Sequence, residues 1–138
     1  RQSFAPFQAW GPVLRTPGVT FVNLQYGDCG DELGMARRDF GAHIVTPPGI
    51  DLRADLDDLT ALAGAVDLVI GVSNATFNLA AAAGVPCWLI AAPDAWTTLG
   101  TERYPWYPQA RLYSCKRFGE WDAVMAAIAR DLGARPSA

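Results

Sequence analysis

Residues 67–92 limit the possible folds more than any other stretch: an apolar run, a polar turn, an alanine-rich segment and a second apolar run, with no Lys or Arg among them. Leu68 to Val72 is apolar at nearly every position, the pattern of a strand covered on both faces of a parallel sheet. Ser73 and Asn74 follow as N-cap residues, whose short side-chain oxygens accept from a free N–H of a first helical turn. The helix they open carries Ala80 to Ala83, so its backbone can approach a sheet closely. Gly84 suits the position after its last turn, and Pro86 forbids continuation. Cys87 to Ala92 then supplies the next buried strand. A helix that opens off the carboxyl end of a parallel strand presents unpaired N–H groups and a positive dipole end there, the usual place for a phosphate. The same pattern is also met as a plain scaffold step with no ligand.

Composition removes several classes of function. At 138 residues and 51% hydrophobic, the chain suits one domain with a sizeable core. Charged residues make up 18% and the net charge is −3, so no basic surface for nucleic acid is expected. No run approaches the roughly 20 apolar residues of a membrane span. Cys29, Cys87 and Cys115 form no C-x-x-C pair and read as reduced thiols, two of them in strands, which fits a cytoplasmic protein. The single His43 opens an apolar strand, so a structural role is expected of it and no zinc site. The chain begins at Arg1 rather than Met and is expected to be a piece of a longer protein.

In chain order, residues 1–18 mix Phe4, Phe7 and Trp10 with three prolines and read as a linker with one helical turn. Val19 to Tyr26 predicts a first strand ending at the Gly27 turn, and Asp31 to Phe40 a helix closed by Gly41. Ala42 to Thr46 predicts a second strand. Leu52 to Val66 predicts an amphipathic helix whose Asp55, Asp57 and Asp58 sit at its positive end rather than around a metal. After the central unit comes a loop over 93–109 rich in Trp and Tyr, then a strand over Arg111 to Cys115 and a helix over Glu120 to Leu132. Residues 133–138 are expected to fray. Loops of this length usually carry function, although a self-packed aromatic loop covering the sheet edge gives the same sequence pattern.

Strands alternating with helices predict an α/β fold, a doubly wound five-stranded parallel sheet with helices on both faces. The expected spatial order is 2-1-3-4-5, which opens a crevice between the carboxyl ends of the first and third strands. Gln25, Tyr26 and Gly27 would converge there with Ser73, Asn74, Ala75 and Thr76, under the long loop.

Four segments, in this order and spacing, carry a resemblance: Val22 to Asp28, Asp57 to Leu62, Asp67 to Trp88, and Pro105-Trp106-Tyr107-Pro108. Together they resemble bacterial proteins in which tetratricopeptide repeats precede a glycosyltransferase-like region. That region is similar to the C-terminal Rossmann half of B-type glycosyltransferases, including heptosyltransferases and, more distantly, the O-linked N-acetylglucosamine transferases. The resemblance covers about residues 18–132. It implies that residues 19–132 are a Rossmann-like half that binds a nucleotide diphosphate sugar as substrate, without metal or other cofactor. A missing N-terminal Rossmann half and the repeats would belong to the same parent chain, with a protein as possible acceptor. Gln25, Tyr26 and Gly27 would line the base and ribose; Ser73, Asn74, Ala75, Thr76 and Asn78 would meet the diphosphate; Trp96, Trp106 and Tyr107 would flank the cleft.

Two departures weaken the catalytic side of this expectation. Where heptosyltransferase-like members read Asp-Thr-x-x-x-His, this chain has Ser73 to Asn78, and Thr97 stands where relatives often carry an Arg after the Trp. Backbone amides survive such changes, whereas a cation on the leaving diphosphate does not. The expectation is therefore a donor-binding half that is inactive alone, or a catalytically degenerate binding module attached to repeats. A free-standing flavodoxin-like regulator is a third possibility, against which stands the missing acidic group and distal Lys at strand ends.

Overall fold

The computed structural model describes residues 4–135. A 3₁₀ turn over Phe7–Trp10 runs into α1 (Gly11–Leu14), followed by β1 (Phe21–Val22), α2 (Gly30–Phe40) and β2 (Ile44–Val45). Then come α3 (Leu56–Ala65), β3 (Val69–Gly71), α4 (Ala75–Ala82) and β4 (Cys87–Ala91). A 3₁₀ turn at Trp96–Thr98, β5 (Arg111–Ser114) and α5 (Trp121–Gly133) complete the order. Residues 136–138, half of the tail expected to fray, lie outside the described residues, while Gly133 itself is the last residue of α5.

The strands form two parallel sheets rather than the single five-stranded sheet expected, which corrects the predicted fold class. One sheet pairs β1 with β2, Phe21 opposite Ile44; the other has the order β3-β4-β5, with Val69 opposite Cys87 and Leu89 opposite Leu112. The cause lies just past Val22. Asn23 N–H still bonds Val45 O at 2.8 Å, but the Asn23 side-chain oxygen then accepts from Gln25 N–H at 2.9 Å. That local ring turns the chain away from extended geometry, and the ladder ends after two residues. What was expected as an eight-residue first strand is thus too short to run along β3. The crevice anticipated between first and third strands has no shared ladder to define it. Side chains link the sheets instead: Phe21 packs both against the core under β4 and against Leu14, Ala36 and Ala42 beside α2.

β4 is buried along its whole length, and its residues alternate between two cores. Trp88 and Ile90 face a core built with Tyr113, Met125, Ile128 and Leu132. Cys87 and Leu89 face the other, built with Phe77, Ala80, Ala81 and Tyr104. The three-stranded sheet is therefore covered by α5 and α1 on one face and by α4 on the other. On α5 the buried residues are Trp121, Val124, Met125, Ile128 and Leu132, one stripe at helical spacing.

Local capping sets the helix bounds. Asn74 Oδ1 accepts from Phe77 N–H at 2.9 Å and starts α4; Gly84, at φ +83°, ends the segment in a conformation that favours glycine. α3 begins at Leu56 and not at Leu52, because two aspartates divide the segment. Asp51 accepts from the N–H groups of Arg53 and Ala54 in a separate turn, and Asp55 accepts from Asp58 N–H at 3.0 Å as the true cap. The Arg53 and Ala54 bonds hold the Asp51 carboxyl below its ordinary value, whereas the Asp55 contact pushes Asp58 upward. The segment expected as a linker contributes to the core: Val13 of α1 is 0% exposed and packs with α5.

β5 is tied to α5 by Asp131. Tyr113 donates its hydroxyl to Asp131 Oδ2 at 2.8 Å, and Arg111 Nη2 reaches the same oxygen at 2.9 Å. Led by the Tyr113 bond, these contacts hold the Asp131 carboxyl below its ordinary value. Burial, with the Asp131 bond, moves the Tyr113 hydroxyl upward. An acid with a lowered folded-state value stabilises the fold above its unfolded value and loses that contribution as pH falls through the folded one. Acid titration of stability should show Asp131→Asn less stable than the parent at neutral pH, with the gap closing as pH falls below the ordinary carboxylate range. Leu89→Ala, at a site with 0% exposure, should cost about 2–5 kcal/mol in denaturant unfolding. Val45→Ala, at an exposed strand position, should change stability by no more than about 0.5 kcal/mol.

Candidate functional site

The carboxyl ends of β3 and β4 border a cavity of about 400 Å³. Val72 and Ser73 continue from β3, Ala92 to Thr97 continue from β4, and Phe4 and Phe118 close the sides. β4 delivers its chain here because Pro93 follows the last ladder residue and Asp94 adopts a left-handed φ of 54°, which turns the loop back over the strand end. Trp96 stands at the rim with 77% exposure. Asp94 is the only charged residue on this lining, so the wall is aromatic and acceptor-rich rather than cationic.

Beside the cavity, the start of α4 is fixed by a closed set of side-chain bonds. Tyr104 descends from the long loop, is 2% exposed, and packs edge-on to Phe77 with ring centres 6.0 Å apart. Its oxygen lies 2.8 Å from Ser73 Oγ and 2.8 Å from Asn78 Oδ1. Asn78 Oδ1 accepts only, so the Tyr104 hydroxyl donates to it and the Ser73 hydroxyl donates to Tyr104. Asn78 Nδ2 donates to Asn74 O at 2.8 Å. Ser73 therefore spends its proton on the loop and accepts a long contact from Asn78 Nδ2 at 3.5 Å, which leaves one lone pair for the cavity. The N–H of Phe77 is taken by the Asn74 cap, while Ala75, two positions earlier, is exposed.

The residues expected at the site divide into three groups. Ser73, Asn74, Ala75, Thr76 and Asn78 come together at the start of α4, with Thr76 buried. Of the aromatics, Trp96 lines the cavity; Trp106 instead donates its indole N–H to Thr97 O at 3.0 Å, and Tyr107 packs on Tyr104 with ring centres 6.2 Å apart. Gln25, Tyr26 and Gly27 lie in the turn between β1 and α2, are exposed, and are not part of the lining. Phe4, Asp94 and Phe118 went unforeseen. A position just past the carboxyl end of a strand was the available signal for Asp94 and Phe118; Phe4 carried none.

The remaining reactive side chains are placed elsewhere. All three cysteines are unpaired thiols. Burial pushes Cys87 up to about 11 and raises Cys115 as well, so neither is a thiolate at neutral pH. His43 precedes β2 and is exposed. Among the described residues, no group of His, Cys, Asp or Glu is arranged to hold a metal, and no helix is long and apolar enough to cross a membrane.

The chain is similar to Protein FlbA of Caulobacter vibrioides, with 53% identity over 131 residues. That alignment takes in 95% of this chain and 22% of the relative, so the chain spans about a fifth of that protein's length. No family model and no solved structure matches it.

The Tyr104 hydroxyl holds two partners in a part-buried setting, and removing it leaves both short of a bond. Tyr104→Phe should keep the fold and lower unfolding stability by about 1–3 kcal/mol. Ser73→Ala, which removes one arm and leaves Tyr104 bonded to Asn78, should cost less in the same denaturation experiment.

Proposed function

We propose that this chain is the nucleotide-binding part of a longer glycosyltransferase-like protein, holding a nucleotide diphosphate sugar at the carboxyl ends of β3 and β4, and inactive alone. The observation that carries the reading is an aromatic cavity of about 400 Å³ at the carboxyl ends of β3 and β4 whose lining reaches Ser73, two residues ahead of α4, while Asn74, Ala75 and Thr76 lie beside it. Carboxyl ends of parallel strands with a helix opening beside them are the common location of nucleotides in α/β proteins. In this reading the diphosphate meets the N–H groups of Ala75 and Thr76, and the base stacks on Trp96. Asp94, at the turn, accepts from ribose hydroxyls. The three unpaired thiols suit a reducing, cytoplasmic setting. A second Rossmann half, repeats and a protein acceptor would come from the rest of the parent chain.

Magnitudes keep the affinity low. A helix terminus contributes about 0.3–2 kcal/mol toward an anion, and neither residues 67–92 nor the cavity lining adds a Lys or Arg. Transfer needs an acceptor and a base held in line with the anomeric carbon, and the single His43 lies outside this cavity. The same lack of cations, together with Ser73 and Asn78 already bonded to Tyr104, favours a second reading in which catalysis is lost and the domain serves as a binding module within its parent protein.

An amide-shift titration with uridine and guanosine diphosphates separates these readings. Binding with a dissociation constant of about 0.1–1 mM, roughly 4–5.5 kcal/mol, is expected, with shifts at residues 73–78 and 91–97. Ala75→Asp should abolish it while the fold persists. Absence of shifts at several millimolar would remove nucleotide binding and leave the binding-module reading. Sugar transfer by this chain alone would overturn both.

A further inference from the structure

A second cavity, about 480 Å³, opens at the amino-terminal ends of β1 and β2 and shares no lining residue with the one beside Ser73. Two cationic or donor side chains from different elements reach it. Arg15, at the end of α1, lays its guanidinium over the Phe40 ring at 5.0 Å and donates through Nη2 to Asp39 O at 3.2 Å. That fixes the planar fork and leaves its other N–H groups for a second acceptor. His43, just ahead of β2, stands with Nδ1 2.7 Å from Arg37 Nη2. A guanidinium has no acceptor and keeps its protons, so it is the donor here, Nδ1 accepts, and the ring proton sits on Nε2. The imidazole therefore offers a donor of fixed identity, with the Arg37 charge directly behind it.

The rest of the wall combines the hydroxyl side chains of Thr16 and Thr20 with apolar Leu14, Val19, Phe21, Phe40 and Val45. We infer that this cavity binds a small organic carboxylate with an apolar body, its two oxygens meeting Arg15 and His43. An Arg15 N–H donates to one oxygen as a charge-assisted bond and the His43 Nε2–H to the other, and an apolar body covers the Val19, Phe21, Phe40 and Val45 part of the wall. Free phosphate would fit less well, because the end of α2 opposes a second negative charge and the apolar part of the wall, Val19, Phe21, Phe40 and Val45, would stay wet. The Asp39 carboxylate is paired with Arg38 Nε at 3.3 Å and is not part of the lining, and no Asp or Glu among the described residues lines the cavity, so the Arg15 charge and the His43 Nε2–H face it without a carboxylate on the wall.

The test is an amide-shift titration of the full chain with phenylacetate. Expected are saturable shifts at residues 14–21 and 40–45, with residues 73–78 unmoved. Phenylacetamide, equal in shape but uncharged, and inorganic phosphate should each bind about tenfold more weakly or worse. Arg15→Gln should weaken phenylacetate about tenfold without changing the thermal melt. Arg37→Gln, outside the cavity, should weaken it less, by releasing the His43 tautomer. Three results would each overturn the inference: no shifts at residues 14–21 and 40–45 at several millimolar, phenylacetamide or phosphate binding as tightly as phenylacetate, or Arg15→Gln binding like the parent. The phenylacetamide comparison needs no variant, so it decides the matter even if Arg15→Gln proves unstable.

Discussion

Every layer of this molecule depends on the burial of β4. Five consecutive residues, Cys87 to Ala91, have almost no access to water, and consecutive side chains point into different cores. A parallel strand in that position must be covered twice, and the chain supplies two unlike covers. α5 brings large side chains, with Trp121, Met125 and Ile128 set against Trp88 and Ile90. α4 brings Ala80 and Ala81, whose small size lets the helix backbone lie close to Leu89. Close approach on that face is what sets the start of α4 at the end of β3. The candidate nucleotide cavity is thus a consequence of how β4 is covered, before any ligand is considered.

Legibility in the sequence followed the source of each constraint. Where burial fixed an element, the pattern was readable: the apolar run of β4, the stripe of α5, and Asn74 as the cap of α4 all stand where their chemistry indicated. Where a local side-chain bond overrode propensity, the sequence misled. Asn23 reads as one polar residue in a strand, yet its side-chain oxygen captures Gln25 N–H, shortens β1 and splits the expected sheet. Asp51 and Asp55 likewise cut the first turn from a helix that periodicity alone would extend. The start of the chain failed for the opposite reason. Its prolines suggest a linker, but a helix of four residues is held there by burial of Val13 on α5, a tertiary effect with no local signature.

The site was legible in part for the same reason. Ser73 to Asn78 could be placed because a strand, a cap and a helix follow one another in sequence. Gln25 to Gly27 depended on a neighbouring strand that does not form as expected. Trp106 and Tyr107 were placed at the cleft by the resemblance alone; in the structure the Trp106 indole N–H bonds the Thr97 carbonyl and Tyr107 packs on the Tyr104 ring, both within the long loop.

Tyr104 connects stability and recognition most directly. Its ring belongs to the core beneath α4, and its hydroxyl sets the direction of the Ser73 proton. Because Asn78 can only accept at Oδ1, the chain of donation runs from Ser73 to Tyr104 to Asn78, and Ser73 faces the cavity as an acceptor. With Asp94 on the same lining, that end of the sheet offers acceptors and aromatic faces to a ligand. Under the proposed function, a phosphate there would gain help only from backbone N–H groups, while the sugar hydroxyls and base N–H groups of a nucleotide would find partners in the side chains. The electrostatics of the cavity thus favour the uncharged portion of a nucleotide over its diphosphate, and this places the limit on affinity in the missing cations rather than in the shape of the site.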